Sequence, residues 1–384
     1  MAEPQILVVD DSGFNRLLLK RRLAELGYPE PVMAENGRLG LAAMAAQRFD
    51  AVLLDLEMPE LDGIGVLEAL RGQPDAPPVI VISALTDMAG VIRCIELGAE
   101  DYLPKSFDPP LLRARLNAVL EKKRLRDLAA ERLAALEAEL NSARHAQLSL
   151  VPQNVARLAT GRVTLAAHME PARQVGGDLY EVLRLDATHL LFGVADVSGK
   201  GAPAGLTMAR TVGLVRSAAR MAMGRGEIPS PAMLMEMAND DLSTDNPEMT
   251  FVTALLGVVN TETGACRICV AGHEAPFIQG PAGLRAMSGF SSNPAMGVID
   301  GLPYREGELT LAAGETLVLF TDGVSEAESP EGDFYGRERL ADAIRAAGDP
   351  GPEGLLAAIL ADMALFTRDA PQADDVTLLA LRLT

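Results

Sequence analysis

From residue 4 to about 120, short apolar runs alternate with stretches of helical period. Ile6-Leu7-Val8-Val9, Val52-Leu53-Leu54 and Val79-Ile80-Val81-Ile82 are separated by segments such as Phe14 to Leu26, whose apolar residues include 14, 17, 18 and 26. A continuous apolar run needs cover on both faces, so this pattern predicts a parallel sheet with helices on either side. Between residues 121 and 150, Gly and Pro disappear and Ala, Glu, Leu, Arg and Lys dominate. There Leu133, Leu136, Leu140, Ala143, Gln147 and Leu150 fall at spacings of 3, 4, 3, 4 and 3, a short heptad seam suited to a coiled coil. Lys122 and Arg126 would break that seam upstream, so a single amphipathic helix packed on a neighbouring domain is the other reading. Pro152 ends the helix.

Beyond Pro152 the texture changes. Strand-like runs occupy 190–195, 251–259, 316–320 and 376–383, while helical patterns are grouped at 202–221, 231–242 and 338–366. Grouped strands and grouped helices predict an α+β domain. The 384 residues therefore divide into domains at 1–120 and 153–384, joined by a helical linker at 121–152.

Composition narrows the function. A net charge of −19 and the absence of Trp argue against binding nucleic acid or an anionic membrane. The start Met1-Ala2-Glu3-Pro4 lacks the basic region of a signal peptide, and no apolar stretch reaches the ~18–20 residues of a membrane span, so a cytoplasmic location is expected. Cys266 and Cys269 form a Cys-x-x-Cys pair, but in a strand-like segment with no second pair to complete a zinc site.

The chemistry-bearing residues of the first domain stand at strand ends. Asp10 and Asp11 follow the first apolar run, Asp55 ends the run at 52–54, Ser83 ends the next, and Lys105 follows Asp101-Tyr102-Leu103. In a parallel α/β sheet, ligands gather at the carboxyl ends of the strands. Clustered carboxylates with room for water suit Mg²⁺, and the ion together with Lys105 would neutralise a phosphoryl group arriving on Asp55. Polar loops at strand ends are the ordinary alternative for any one of these residues alone.

Here the sequence resembles the receiver domains of two-component response regulators, from about Gln5 to Leu120. The resemblance rests on Val8-Val9-Asp10-Asp11-Ser12, on Leu54 to Gly63 around Asp55, on Ser83-Ala84, and on Gly98 to Lys105. It implies a flavodoxin-like fold with a five-stranded parallel sheet. It implies phosphorylation of Asp55 by a histidine kinase or phosphotransfer protein, and Mg²⁺ held by Asp11, Asp55 and the Glu57 carbonyl, with Asp10 acting largely through water. Ser83 and Tyr102 would be the switch residues. Family members usually carry Pro after the lysine, often on a cis peptide; this chain has Ser106, for which a trans path is expected because a non-proline cis bond costs ~3–4 kcal/mol.

A second set of acidic residues lies in Gly-rich or strand-end contexts: Gly176-Gly177-Asp178, Asp196 within Ala195 to Gly201, Thr321-Asp322-Gly323, and Asp374-Asp375-Val376-Thr377. Each alone reads as a turn. Together, four carboxylates with few His or Cys favour Mg²⁺ or Mn²⁺ over zinc, and a pair of such ions ~3.5–4 Å apart can clamp a phosphoryl group.

This region resembles metal-dependent serine/threonine protein phosphatases of the type 2C (PPM) class, in particular the bacterial SpoIIE-like branch. The matching stretches are 171–180, 196–201, Ala271-Gly272-His273, 320–327 and Asp374 to Thr377, across nearly all of 155–384. The implied fold is α+β, two β-sheets flanked by helices. Carried over by motif, Asp178 and Asp196 would bridge or ligate two Mn²⁺ or Mg²⁺ ions, with a Val197 carbonyl ligand. Asp322 and Asp374 would complete the site, with Asp375 as the alternative to Asp374. The nucleophile would be water rather than a side chain. Arg173 would contact the substrate phosphate or form a surface ion pair. His273 would help protonate the leaving oxygen or simply fill a tight turn. Where family members often carry Asn-Pro or Pro-Pro after this His, the chain has Glu274-Ala275.

The order receiver, helix, phosphatase predicts that phosphorylation of Asp55 controls the metal site through the helix at about 111–150, in a homodimer formed along it. The SpoIIE-like resemblance implies a phosphorylated anti-sigma-factor antagonist of the STAS type as substrate, in a partner-switching pathway. The alternative is a phosphorylation-controlled adaptor, with a catalytically weak phosphatase-like domain that binds a sigma factor or anti-sigma component. Loss of metal-ligand carboxylates would mark that case, and all four are present.

Overall fold

The computed structural model describes residues 3–84, 88–290 and 293–384. The chain divides into two compact units, Met1–Leu136 and Glu137–Thr384.

The first unit alternates strand and helix as expected: β1 Ile6–Val9, α1 Gly13–Glu25, β2 Val32–Ala34, α2 Gly37–Ala46, β3 Ala51–Asp55, α3 Gly63–Leu70, β4 Val79–Ser83, α4 Met88–Glu96 and β5 Asp101–Pro104, followed by α5 Pro109–Leu148. The strands form one parallel sheet in the order β2-β1-β3-β4-β5. Alternation along each strand supplies two cores. Leu7, Val9, Val52, Leu54 and Val81 pack on one face, and Ile6, Val8, Leu53, Ile80 and Ile82 on the other, where Leu112 and Leu116 of α5 join them. The helix starts are written in the sequence: Ser12, Asn36 and Asp62 each accept a hydrogen bond from a first-turn amide of α1, α2 and α3. The chain order reverses between β1 and β3, and such a switch point opens a crevice at the strands' carboxyl ends.

The second unit contains a 3₁₀ turn at Val155–Leu158, then β6 Val163–Glu170, β7 Leu179–Arg184, β8 His189–Val197, α6 Ala202–Gly224, α7 Pro231–Ser243, β9 Val252–Asn260, β10 Ala265–Ala271, β11 Phe277–Gly280, β12 Gly283–Ala286, β13 Glu306–Thr310, β14 Thr316–Phe320, the short α8 Asp322–Ser325, α9 Gly336–Ala347, α10 Gly351–Thr367 and β15 Val376–Leu383. Two five-stranded antiparallel sheets result, β13-β10-β9-β8-β7 and β12-β11-β14-β15-β6. β14 shows why its apolar run is unbroken. Leu317 and Leu319 face the core shared with β8, β9, α6 and α7, while Val318 and Phe320 face α9 and α10 through Leu340, Ile344 and Ile359. Both faces are covered, so the two sheets lie between layers of helices, as the grouped pattern implied. Among the described residues, no helix is long and apolar enough to cross a membrane.

Candidate functional site

The switch point of the first sheet gathers the residues expected there. Asp10, Asp11 and Asp55 can each offer an oxygen within 4.8 Å of the others. Asp10 and Asp55 are buried and Asp11 is exposed. Lys105 Nζ donates to Asp55 Oδ2 at 2.7 Å, and the Leu56 amide donates to Asp55 Oδ1 at 2.8 Å. Burial holds the Asp10 carboxyl above its ordinary value; the Ser12 amide opposes this and the Asp55 charge adds to it. Lys105 is also held above its ordinary value, because its hydrogen bond to Asp55 and the surrounding negative charge outweigh partial burial. The Ser83 side chain is buried, and its carbonyl accepts from the Lys105 amide at 2.9 Å and from the Tyr102 hydroxyl at 3.2 Å. No peptide bond among the described residues is cis, so Ser106 follows Lys105 on the expected trans path. Gly63 lets α3 start against the site: a Cβ there would lie 2.3 Å from the Asp55 carbonyl oxygen. Asn15, not singled out from the sequence, donates to both Asp10 oxygens at 3.2 Å.

The four aspartates of the second unit come from the loop before β7 (Asp178), the end of β8 (Asp196), the start of α8 (Asp322) and the turn before β15 (Asp374). Asp196 lies within electrostatic reach of Asp178, Asp322 and Asp374. Burial and then the Asp196 charge push the Asp178 carboxyl well above its usual range. Asp196 is raised to about 7 by burial and by the charges of Asp322, Asp374 and Asp375. Asp322 is raised by burial and by Asp374. The Thr321 hydroxyl donates to Asp178 Oδ2 at 2.7 Å and the Thr377 amide donates to the Thr321 oxygen at 3.1 Å, so two residues that flank the aspartates in the motifs also brace them.

Asp374 and Asp375 differ in what they hold. Asp375 is buried and accepts the amides of Ala172 at 2.8 Å, Gly177 at 2.6 Å and Asp178 at 3.3 Å. Its oxygens are spent on fixing the loop that carries Asp178. Asp374 is partly exposed and pairs with Lys200 Nζ at 2.9 Å. A Cβ on Gly177 would lie 2.8 Å from the Val197 carbonyl oxygen, so the expected carbonyl ligand sits beside the Asp178 loop. A hard, oxygen-only donor set whose charges repel one another fits divalent cations such as Mg²⁺ or Mn²⁺.

Arg173 is exposed. The His273 ring is partly buried, and its desolvation lowers its pKa to about 4. Its Nε2 lies 3.1 Å from the Phe320 carbonyl oxygen and its Nδ1 lies 3.0 Å from Thr253 Oγ1. A carbonyl only accepts, so Nε2 carries the proton and Nδ1 accepts from the threonine hydroxyl. Both ring nitrogens are engaged, and the ring braces the strand end that leads into Asp322. Cys266 and Cys269 sit in β10, where residues three apart point to opposite faces, and burial pushes both thiols up to about 12. They are core residues.

Comparison with known proteins agrees with both halves. The model of the family described as "Stage II sporulation protein E (SpoIIE)" matches residues 186–384, and that of the "Response regulator receiver domain" matches 6–117. The "Probable transcriptional regulator ycf27" of Porphyridium aerugineum is 40% identical over 122 residues, covering 32% of this chain and 50% of that protein. "Protein IcfG" of Synechocystis sp. is 28% identical over 269 residues, covering 63% of this chain and 41% of that protein. The chain spans about half the length of the curated relatives it matches. Among solved structures, the SiaA-PP2C domain of Pseudomonas aeruginosa aligns with a TM-score of 0.59 at 24% identity, covering 66% of this chain and 100% of that one. The PP2C phosphatase domain of SpoIIE from Bacillus subtilis, with a fragment of its regulatory domain, aligns with a TM-score of 0.50 at 20% identity, covering 58% and 64%. With a receiver sheet in its first unit and the two-sheet PP2C-like fold in its second, the chain belongs to the SpoIIE family.

Proposed function

We propose that this chain is a response regulator in which phosphorylation of Asp55 controls a metal-dependent protein serine/threonine phosphatase. The observation that carries the phosphatase half is the gathering of Asp178, Asp322 and Asp374 around Asp196, whose carboxyl is raised to about 7 by burial and by the charges of Asp322 and Asp374. Carboxyls raised by burial and by one another's charge mark a site arranged for added positive charge.

In the receiver half, Asp11, Asp55 and the Glu57 carbonyl would hold one Mg²⁺, with Asp10 acting through water. Lys105 would follow the incoming phosphoryl group, since its ammonium already meets the acceptor oxygen side of Asp55. The Ser83 hydroxyl and Tyr102 would report the modification. In the phosphatase half, Asp178, Asp196, Asp322, Asp374 and the Val197 carbonyl would hold two divalent ions. Such ions supply Lewis-acid polarisation and charge neutralisation at a phosphoryl group. Thr321 holds the Asp178 carboxylate in place, Asp375 fixes the backbone of its loop, and His273 braces the approach to Asp322 as a neutral ring. That use of His273 favours a positioning role over proton donation to the leaving group. Arg173, exposed on the loop before Asp178, is the candidate for contact with the substrate phosphate.

Membership of the SpoIIE family supports a phosphoserine or phosphothreonine on a STAS-type anti-sigma-factor antagonist as substrate, in a partner-switching pathway. Exposure of Leu133, Leu136 and Leu140 along α5, at 59%, 57% and 40%, supports a homodimer through that helix. Phosphate release from such a phosphoprotein with Mn²⁺, by wild type and by Asp322→Asn, tests the enzyme. Release by wild type alone is expected. Absence of release by wild type, with retained binding to a sigma or anti-sigma component, would establish the adaptor instead.

A further inference from the structure

We propose that Gln147 is a positioning residue for the metal centre, clamping the loop that presents Asp178 to the end of α5. The proposal rests on the phosphatase reading above and adds a residue that the carboxylate motifs do not contain.

Gln147 is 6% exposed, although it is the penultimate residue of a helix whose preceding residues are mostly exposed. Its carboxamide meets both polar groups of one residue. Oε1 accepts the Gly176 amide at 3.1 Å, and Nε2 donates to the Gly176 carbonyl. A donor and an acceptor on one planar group are what such reciprocal pairing needs; a carboxylate or an ammonium offers only one of the two. A buried amide is costly unless so paired, so this position is set by its hydrogen bonds and not by apolar fit.

The surroundings leave the amide little freedom. A Cβ on Gly176 would lie 2.4 Å from Asp375 Oδ2, and one on Gly205 of α6 would lie 3.1 Å from Gln147 Nε2. The loop is thus held from two sides. Gln147 takes Gly176, and Asp375 takes the next two amides, those of Gly177 and Asp178. Asp178 lies two residues beyond the clamp, and its carboxylate is fully buried beside Asp196. Displacing the end of α5 would strip Gly176 of both partners and leave the loop that aims Asp178 held by Asp375 alone. Because α5 is one helix from Pro109 to Leu148, a signal carried along it would reach the Asp178 loop through this side chain.

The test measures Mn²⁺ binding by the full chain, as loss of the free-ion electron paramagnetic resonance signal. All variants carry Asp11→Asn, so that the receiver site does not contribute. The parent should bind Mn²⁺ and Asp322→Asn should not; a parent that binds none overturns the phosphatase reading, and with it this inference. Gln147→Met keeps the volume and removes both hydrogen bonds. It should weaken Mn²⁺ binding by about 10- to 100-fold, the range for outer-shell partners of metal ligands. Gln147→Glu keeps the acceptor for the Gly176 amide but turns a second oxygen on the Gly176 carbonyl, so it should weaken binding as well, provided melting in EDTA shows each variant folded. If either folded variant binds Mn²⁺ as the parent does, even with a lowered melting temperature, Gln147 is merely structural and the proposal fails.

Discussion

At the receiver site a buried carboxylate meets an ammonium: Asp55 and Lys105 lie 2.7 Å apart. In the second unit, Asp196 lies in the field of Asp322, Asp374 and Asp375, and the lysine nearby, Lys200, pairs with the outermost member, Asp374. The same residue type therefore faces two different electrostatic problems. The receiver site carries a cation of its own, Lys105, against Asp55. The second site leaves most of its charge uncompensated, so metal ions would be part of its working structure.

Several substitutions separate the two. Asp55→Asn removes the acceptor and should abolish incorporation of acid-labile phosphate from a small-molecule donor, followed by mass spectrometry, while leaving Mn²⁺ binding at the second site unchanged. Asp322→Asn should do the converse: normal labelling of Asp55, with phosphate release lowered by about 100-fold or more. If either substitution silences both chemistries, the two sites are not the separate units described.

The pH response sharpens the contrast. Asp196 rises from an ordinary value of 3.8 to about 7 in the fold. The native state then binds more protons than the unfolded chain between those values. For the metal-free protein, the contribution of this group to stability is fully present below pH ~4 and is lost as pH rises through about 7. Melting temperatures in EDTA should fall over that window in wild type and fall less in Asp196→Asn. Mn²⁺ must displace the same proton, so its affinity should rise by about tenfold per pH unit below about pH 7 and level off above it. The smallest effect is expected at His273. His273→Asn should lower activity by about tenfold or less, and the acid limb of the pH–rate profile should stay in place, because the ring is already neutral above about pH 4. Loss of that limb would restore His273 as a proton donor.

Much of this was legible in the sequence. Continuous apolar runs announced the parallel sheet of the first unit, and Asp10, Asp55 and Lys105 stood at strand ends because that topology sends ligands there. The strands 316–320 and 376–383 were readable in their full extent. The division of labour between Asp374 and Asp375 was not, since adjacent identical residues differ only in which amides the fold brings to them. Gln147 was visible only as one position in a helical seam. Its burial and its grip on Gly176 come from contacts 29 residues away in sequence, which no local spacing encodes. His273 stood out by type, but its neutrality depends on burial against Phe320 and Thr253.

Coupling between the receiver site and the second site is the centre of the proposed function. The most direct measurement is the rate of phosphate release from a phosphorylated STAS-type protein by the full chain with Mn²⁺, before and after phosphorylation of Asp55, with Asp55→Asn as control. Phosphorylation should change the wild-type rate by about 5- to 150-fold, the usual span of an allosteric coupling, and leave Asp55→Asn unchanged. Equal wild-type rates in the two states would contradict that coupling.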